Sequence, residues 1–266
     1  MAGKVYILGA GPGDPELLTL KAARILGMAD VILHDELVNL AILQHVRPGT
    51  IIENVGKRSG CKHYPQNAIN AAMVLHARQG QCVARLKGGD PSLFGRLGEE
   101  LGALRAACID FEIVPGITAA VACAAEAAIP LTDRHSASSV MFLSGHSCTA
   151  NLQPDWEAAV QSGSTIALYM PGDCALVAQR LIRAGLRGDT PCAIVANASL
   201  RTEQVFRAKL DQIGDTRVEG SPKLMIIGEV ARVAEIRATV WAANNSASET
   251  PPPLTYDSPA PLLTTV

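Results

Sequence analysis

Aromatic side chains are scarce in this chain, 4% of 266 residues. That is too few for a surface on which nucleic-acid bases could stack. Excess charge of either sign is lacking too: the formal net charge of -2 gives no general attraction to nucleic acid or to an anionic membrane. Cysteine pairs at metal-binding spacing are absent. The seven cysteines, at 61, 82, 108, 123, 148, 174 and 192, are odd in number and nowhere form C-x-x-C. This argues against a disulfide framework or a zinc site and for a reducing cytoplasm. No long apolar run is present either. The first is cut short at residue 9, before it could serve as a signal peptide, and the alanine-rich stretch 117–131 contains Glu126 and is too short to span a bilayer. The expectation is a cytoplasmic, soluble protein.

What remains is 48% hydrophobic content, enough for one large core or two modest ones. Segments 5–8, 31–34, 51–54, 82–86 and 111–114 read as strands, and 15–26, 36–45, 66–78 and 95–107 show helical spacing between them. This alternation predicts an α/β fold with a mostly parallel sheet covered on both faces. After a turn near Pro130, strands are expected at 139–143, 165–170, 191–196, 204–208 and 224–227, with helices at 155–161 and 174–184. No helix fits between 196 and 204, so the second sheet should be mixed. The reading is two α/β domains, 1–131 and 132–243, followed by a Pro- and Ser-rich tail, 244–266, expected to lack fixed structure.

Ligands of parallel sheets sit beyond the carboxyl ends of the strands. Three glycine-rich turns fall there: Gly-Ala-Gly-Pro-Gly-Asp-Pro at 9–15, Gly-Gly-Asp-Pro at 88–91, and Pro-Gly-Ile-Thr at 115–118. The first departs from the dinucleotide pattern G-x-G-x-x-G, because its glycines alternate and Pro12 removes an amide where a pyrophosphate needs one. A nicotinamide oxidoreductase, with Asp35 as its ribose-binding acid, is therefore a weak rival. A non-catalytic scaffold accounts poorly for three such turns at one sheet edge.

Taken together, GAGPGDPELLTL at 9–20, ADVILHDELV at 29–38, VGKR at 55–58, RLKGGDPSLFGRLGEE at 85–100, the turn at 114–120, IPLTDR at 129–134, Tyr169-Met170 and Ile227-Gly228-Glu229 resemble the S-adenosylmethionine-dependent tetrapyrrole methyltransferases. The likeness is strongest to the branch acting on uroporphyrinogen III and covers about residues 4 to 235. It implies a homodimer with the cofactor folded into a cleft between two domains, and no nucleic acid or membrane as partner. The implied reaction moves methyl groups from two S-adenosylmethionine molecules to carbons 2 and 7 of uroporphyrinogen III. The products are precorrin-2, by way of precorrin-1, and S-adenosylhomocysteine, on routes to sirohaem, cobalamin or haem d1. A later corrin intermediate is the alternative acceptor, and an RNA is disfavoured by composition. With no dehydrogenase–chelatase segment before residue 1, later oxidation and metal insertion are expected of other proteins.

The resemblance assigns cofactor contacts to Pro12, Gly88, Gly89, Asp90, Leu93, Thr118, Ala119, Met170 and Ala198, and no metal. On its residues alone, Met170 reads as an ordinary core methionine. Acid–base positions carry over to Arg96 and Glu99, then to Asp35 and Lys57. Arg96 and Glu99, at i and i+3, rank first because both are expected on one rigid helix; the plain alternative is a solvated pair worth under about 1 kcal/mol. Asp35 could otherwise cap a helix starting near Glu36. Substrate carboxylates are expected to meet Arg134, Arg58 and Lys62. Three departures from the family pattern, at Ser92-Leu93, Met170-Pro171-Gly172 and Ala198, leave the fine cofactor geometry open.

Overall fold

A computed structural model describes residues 2–56, 65–146, 154–215 and 218–232. Among these residues, ten strands form two five-stranded sheets. The first contains β1 (Lys4–Gly9), β2 (Val31–His34), β3 (Ile51–Asn54), β4 (Val83–Lys87) and β5 (Asp110–Val114) in the order β3-β2-β4-β1-β5. Every pairing in it is parallel. Alternate strand residues serve opposite faces. Thus Leu8, Ile32, Ala84 and Leu86 join one apolar cluster with α1 (Leu20–Leu26), while Val5, Ile7, Val31, Leu33 and Val83 join another with α2 (Gln66–Arg78) and α3 (Leu97–Ala106). Each fully buried side chain of this size stabilises by about 1.5–3 kcal/mol. Helix α2 follows its periodicity closely: Ile69, Met73 and Ala77, spaced by four, are its buried residues.

The second sheet contains β6 (Val140–Ser144), β7 (Thr165–Tyr169), β8 (Pro191–Ala196), β9 (Gln204–Lys209) and β10 (Lys223–Ile227) in the order β6-β7-β10-β8-β9. Only β6 and β7 run parallel, so the sheet is mixed. Helices α5 (Trp156–Gln161) and α6 (Cys174–Arg183) cover one face, in one cluster with Ile166, Leu168 and Met225. The other face receives α4 (Ala119–Glu126), whose Ala120, Cys123 and Ala124 pack with Ala167, Ala193 and Ile226. Small residues on this helix let it lie close against the sheet. A helix that follows the first sheet in sequence thus shares its core with the second. Among the described residues, no helix is long and apolar enough to cross a membrane.

Two expected helices are interrupted. Segment 15–26 divides into a 3₁₀ turn at Pro15–Leu17 and α1, because Leu18 is extended and Thr19 starts a new helix by accepting from the Ala22 amide. Segment 36–45 is helical only from Leu40, as 3₁₀. There Asn39 caps the Ala41 amide while its own amide donates to the Gly13 carbonyl at 2.7 Å, drawing 35–39 toward the first glycine turn. The tail 244–266 lies outside the described residues.

Candidate active site

Because β4, β1 and β5 are neighbours, the turns that follow them lie side by side. Gly11 and Gly89 exchange backbone hydrogen bonds, 3.2 Å in one direction and 2.7 Å in the other. A Cβ on Gly116 would fall 2.4 Å from the Gly89 carbonyl oxygen, and one on Gly9 would fall 2.5 Å from the Gly116 Cα. At these positions, then, glycine is required for the turns to touch one another rather than for a ligand to approach. Asp90 completes the join, its Oδ2 accepting from the Gly116 amide at 2.9 Å and its Oδ1 from the Ser92 amide at 2.8 Å and the Ser92 hydroxyl. Partial burial pushes its carboxyl up, but the Ser92 hydroxyl and the Gly116 and Ser92 amides outweigh that and hold it below its ordinary value.

The facing wall comes from the second sheet. Tyr169, at the end of β7, places its hydroxyl 2.6 Å from that of Thr118 and accepts from the Ala120 amide at 3.1 Å. The Phe94 ring lies over it, centroids 4.9 Å apart. Burial raises the Tyr169 phenol above its usual value despite these hydrogen bonds. Lower down, the Asp14 amide donates to the Ser199 hydroxyl at 3.0 Å. Between the walls lies a cavity of about 580 Å³.

Pro12, Gly88, Gly89, Asp90, Leu93, Thr118, Ala119, Met170 and Ala198 all line this cavity. Met170 is not a core residue. Its backbone is left-handed (φ 49°) and it is 44% exposed, turned out at the end of β7. Tyr169, Leu37 and Lys87 line the cavity as well; they fall within the resembling stretches, but the sequence reading assigned them no contact. Lys87 belongs to a buried ionic cluster. Arg85 and Lys87, two residues apart on β4, point to the face that α3 covers, where Glu100 Oε1 accepts from Arg85 Nε and Lys87 Nζ, each at 3.0 Å. All three are at most 3% exposed. Burial, and then the Arg85 charge, hold the Lys87 ammonium below its usual pKa.

Asp35 also lines the cavity. It does not cap a helix; its carboxylate is held by the Arg85 guanidinium at 2.5 Å. Arg96 and Glu99 form the expected ion pair in bidentate geometry, at 2.7 and 2.8 Å. The pair is half exposed and is not among the residues lining the cavity. Arg96 precedes α3 instead of riding on it: it is the N-cap, in a left-handed conformation (φ 56°). Arg134 is exposed in a tight turn closed by paired backbone hydrogen bonds between Asp133 and Ala137, away from the cavity lining. Lys57, Arg58 and Lys62 lie outside the described residues.

Residues 4–214 match the family of Tetrapyrrole (Corrin/Porphyrin) Methylases. The chain belongs to the tetrapyrrole methylase family. It is 46% identical over 239 residues to the uroporphyrinogen-III C-methyltransferase of Pseudomonas aeruginosa, a match covering 87% of this chain and 96% of that protein. A siroheme synthase of Tolumonas auensis is 42% identical over 92% of this chain, which spans only about half (53%) of that longer protein. Among solved structures, the uroporphyrin-III C-methyltransferase of Thermus thermophilus complexed with S-adenosylhomocysteine superposes with a TM-score of 0.75 at 38% identity, covering 87% of this chain and 94% of that one. The parallel and mixed sheets of this methylase are thus the tetrapyrrole methylase fold, with the cavity where the two meet.

Proposed function

We propose that this tetrapyrrole methylase transfers methyl groups from S-adenosylmethionine to carbons 2 and 7 of uroporphyrinogen III, giving precorrin-2 and S-adenosylhomocysteine. The observation that carries the reading is that nine residues from both sheets, matched one by one to the family's cofactor positions, line one cavity. Near-complete overlap with a relative bearing that activity's name supports it. We propose too that the chain works as a cytoplasmic homodimer of two-domain subunits divided near residue 131, free of nucleic acid and membrane. Light scattering on the purified protein tests the dimer.

The cavity suits a folded sulfonium nucleoside. Leu37, Leu93, Val195 and Met170 offer apolar surface to an adenine ring, and exposed turn backbone at Gly88-Gly89 and Thr118-Ala119 offers polar contacts. Among the described residues no arginine lines it, and its two lysines are engaged, Lys87 by Glu100 and Lys223 by the Val218 carbonyl. Nothing there is arranged for a phosphate.

S-adenosylmethionine brings an already activated methyl, which leaves the protein to align a pyrrole carbon with it and to exclude water. Methylation leaves positive charge on the pyrrole that loss of a proton relieves, so a base must stand nearby. Asp35, on the cavity wall, and Glu99, paired with Arg96 beyond its edge, are the carboxylates for this step, with Lys57 as a further acid–base position. The substrate's eight carboxylates need cations outside the apolar cavity, the role of Arg134, Arg58 and Lys62.

Anaerobic incubation with uroporphyrinogen III and S-adenosylmethionine should yield, by mass spectrometry, a tetrapyrrole carrying two added methyl groups. A tetrapyrrole recovered without added methyl would overturn the proposal.

A further inference from the structure

Buried ion pairs seldom stabilise a fold more than apolar residues of equal volume, so a cluster at the carboxyl edge of the parallel sheet calls for another reason. Its geometry supplies one. All three guanidinium nitrogens of Arg85 are engaged: Nε to Glu100, one terminal nitrogen to the carbonyls of Leu86 at 3.0 Å and Leu33 at 3.4 Å, and the other to Asp35. Glu100 is held in turn from two further directions, by Lys87 at 3.0 Å and by the Gln66 amide at 3.3 Å. A planar fork held at each of its three nitrogens has little rotamer freedom left. Of the two carboxylates it joins, Glu100 is sealed in the core while Asp35 is a third exposed and faces the cavity. Charges are matched along the chain. Arg85 and Lys87 bring two positive charges against the single negative charge of Glu100, and Asp35 balances the remainder.

We infer that Arg85, anchored by Glu100, is a positioning residue that fixes the Asp35 carboxylate against the cavity in the orientation proton transfer needs. This rests on the assignment of Asp35 to acid–base work above. Arg85 touches no reacting atom. It acts through Asp35, as a rigid link between the core of the first sheet and the reaction space. Displacement of a reacting group by about 1 Å can cost about a hundredfold in rate.

A double-mutant cycle with S-adenosylhomocysteine binding as the control tests this. Arg85→Lys keeps the charge but cannot span Glu100 and Asp35 together. It should slow turnover at saturating substrate by about thirtyfold, with the dissociation constant for S-adenosylhomocysteine changed less than about twofold. In an Asp35→Asn background the same substitution should have almost no further effect on rate, because the group it positions is gone. Asp35→Glu guards against poor folding of the buried variant: at the partly exposed end of the pair, it keeps the charge and moves the carboxylate by one methylene. It too should be slow. If the two substitutions multiply instead of merging, or if Asp35→Glu retains full rate, the positioning role is overturned while Asp35 keeps its part in the reaction. If Asp35→Asn alone turns over normally, the assignment of Asp35 falls, and the inference with it.

Discussion

The two sheets bury different things. Within the parallel sheet and its cover lie Arg85, Lys87, Glu100 and His34, each at most 5% exposed. In the mixed sheet and its flanks, the buried polar residues among those described are Thr118, Thr165 and Thr190, none of them charged. The first sheet carries charge to its carboxyl edge and fixes it there. The second supplies an apolar wall, with Tyr169 and Met170 at its lip. On the proposed assignment of Asp35, the chemistry is supported from one side of the cleft, and the other side mainly closes it. Side-chain substitutions with equal loss of volume should behave differently in the two sheets.

The sharpest contrast is between Glu100 and Thr165. Glu100→Gln leaves Arg85 and Lys87 as buried like charges without their shared counter-ion, so it should destabilise by about 3 kcal/mol and lower the midpoint of urea unfolding accordingly. Thr165 is 1% exposed and its hydroxyl has no hydrogen-bond partner among the described residues. Thr165→Val should be neutral, or stabilising by up to about 1 kcal/mol. Equal losses at the two sites would dissolve the distinction.

A second contrast separates crowding from backbone strain. Gly116, in the wall built on the first sheet, has backbone of Gly89 and Gly9 within 2.8 Å of where a Cβ would sit, and a peptide carbonyl cannot swing away as a flexible side chain could. Gly116→Ala should destabilise by about 3 kcal/mol and abolish measurable S-adenosylhomocysteine binding in calorimetry. Gly172, beside Met170 in the opposite wall, has a left-handed backbone (φ +64°) but open space around it. Gly172→Ala should destabilise by only about 1 kcal/mol, with binding retained. Retained binding in Gly116→Ala would show that the turns have room to part.

These contrasts also show what was legible in the sequence. Strands 31–34, 51–54 and 191–196 and helix 66–78 were readable to the residue, because β-branched and apolar runs favour strands and four-residue spacing favours a helix. Segment 36–45 was not, because Asn39 bonds across to Gly13, a partner that local periodicity cannot reveal. Nothing in the alternation of Arg85-x-Lys87 along its strand signals that these charges are buried. Only the descent of Glu100 from α3 makes them a core. Of the nine cavity residues, Pro12, Gly88, Gly89, Asp90 and Thr118 lie in turns legible as ligand-facing strand ends, while Leu93, Ala119, Met170 and Ala198 were reachable through resemblance alone. The Arg96–Glu99 pair was visible in its spacing, but the left-handed turn at Arg96 was not.

The smallest expected effect concerns acid, and here the two walls should have opposite signs. Asp90, stapling the turns of the first sheet, has a carboxyl below its ordinary value of 3.8, because hydrogen bonds to the ionised form outweigh its burial. A depressed carboxyl contributes stability that is present above the unfolded value and lost as pH falls through the folded one. Glu203 lies behind the Ala198 wall and accepts from the Ser199 amide at 2.7 Å. Burial first, and the neighbouring Glu126 carboxylate, raise it above 4.5 although the Ser199 amide pulls the other way. A raised carboxyl contributes stability that is full below the unfolded value and lost as pH rises through the folded one. Thermal midpoints measured across the acid range should therefore diverge in opposite senses. Relative to Asp90→Asn, the wild-type chain loses stability as pH falls below 3.8. Relative to Glu203→Gln, it loses stability as pH rises above 4.5. Difference curves of the same sign would mean that the two walls respond to protons as a single unit.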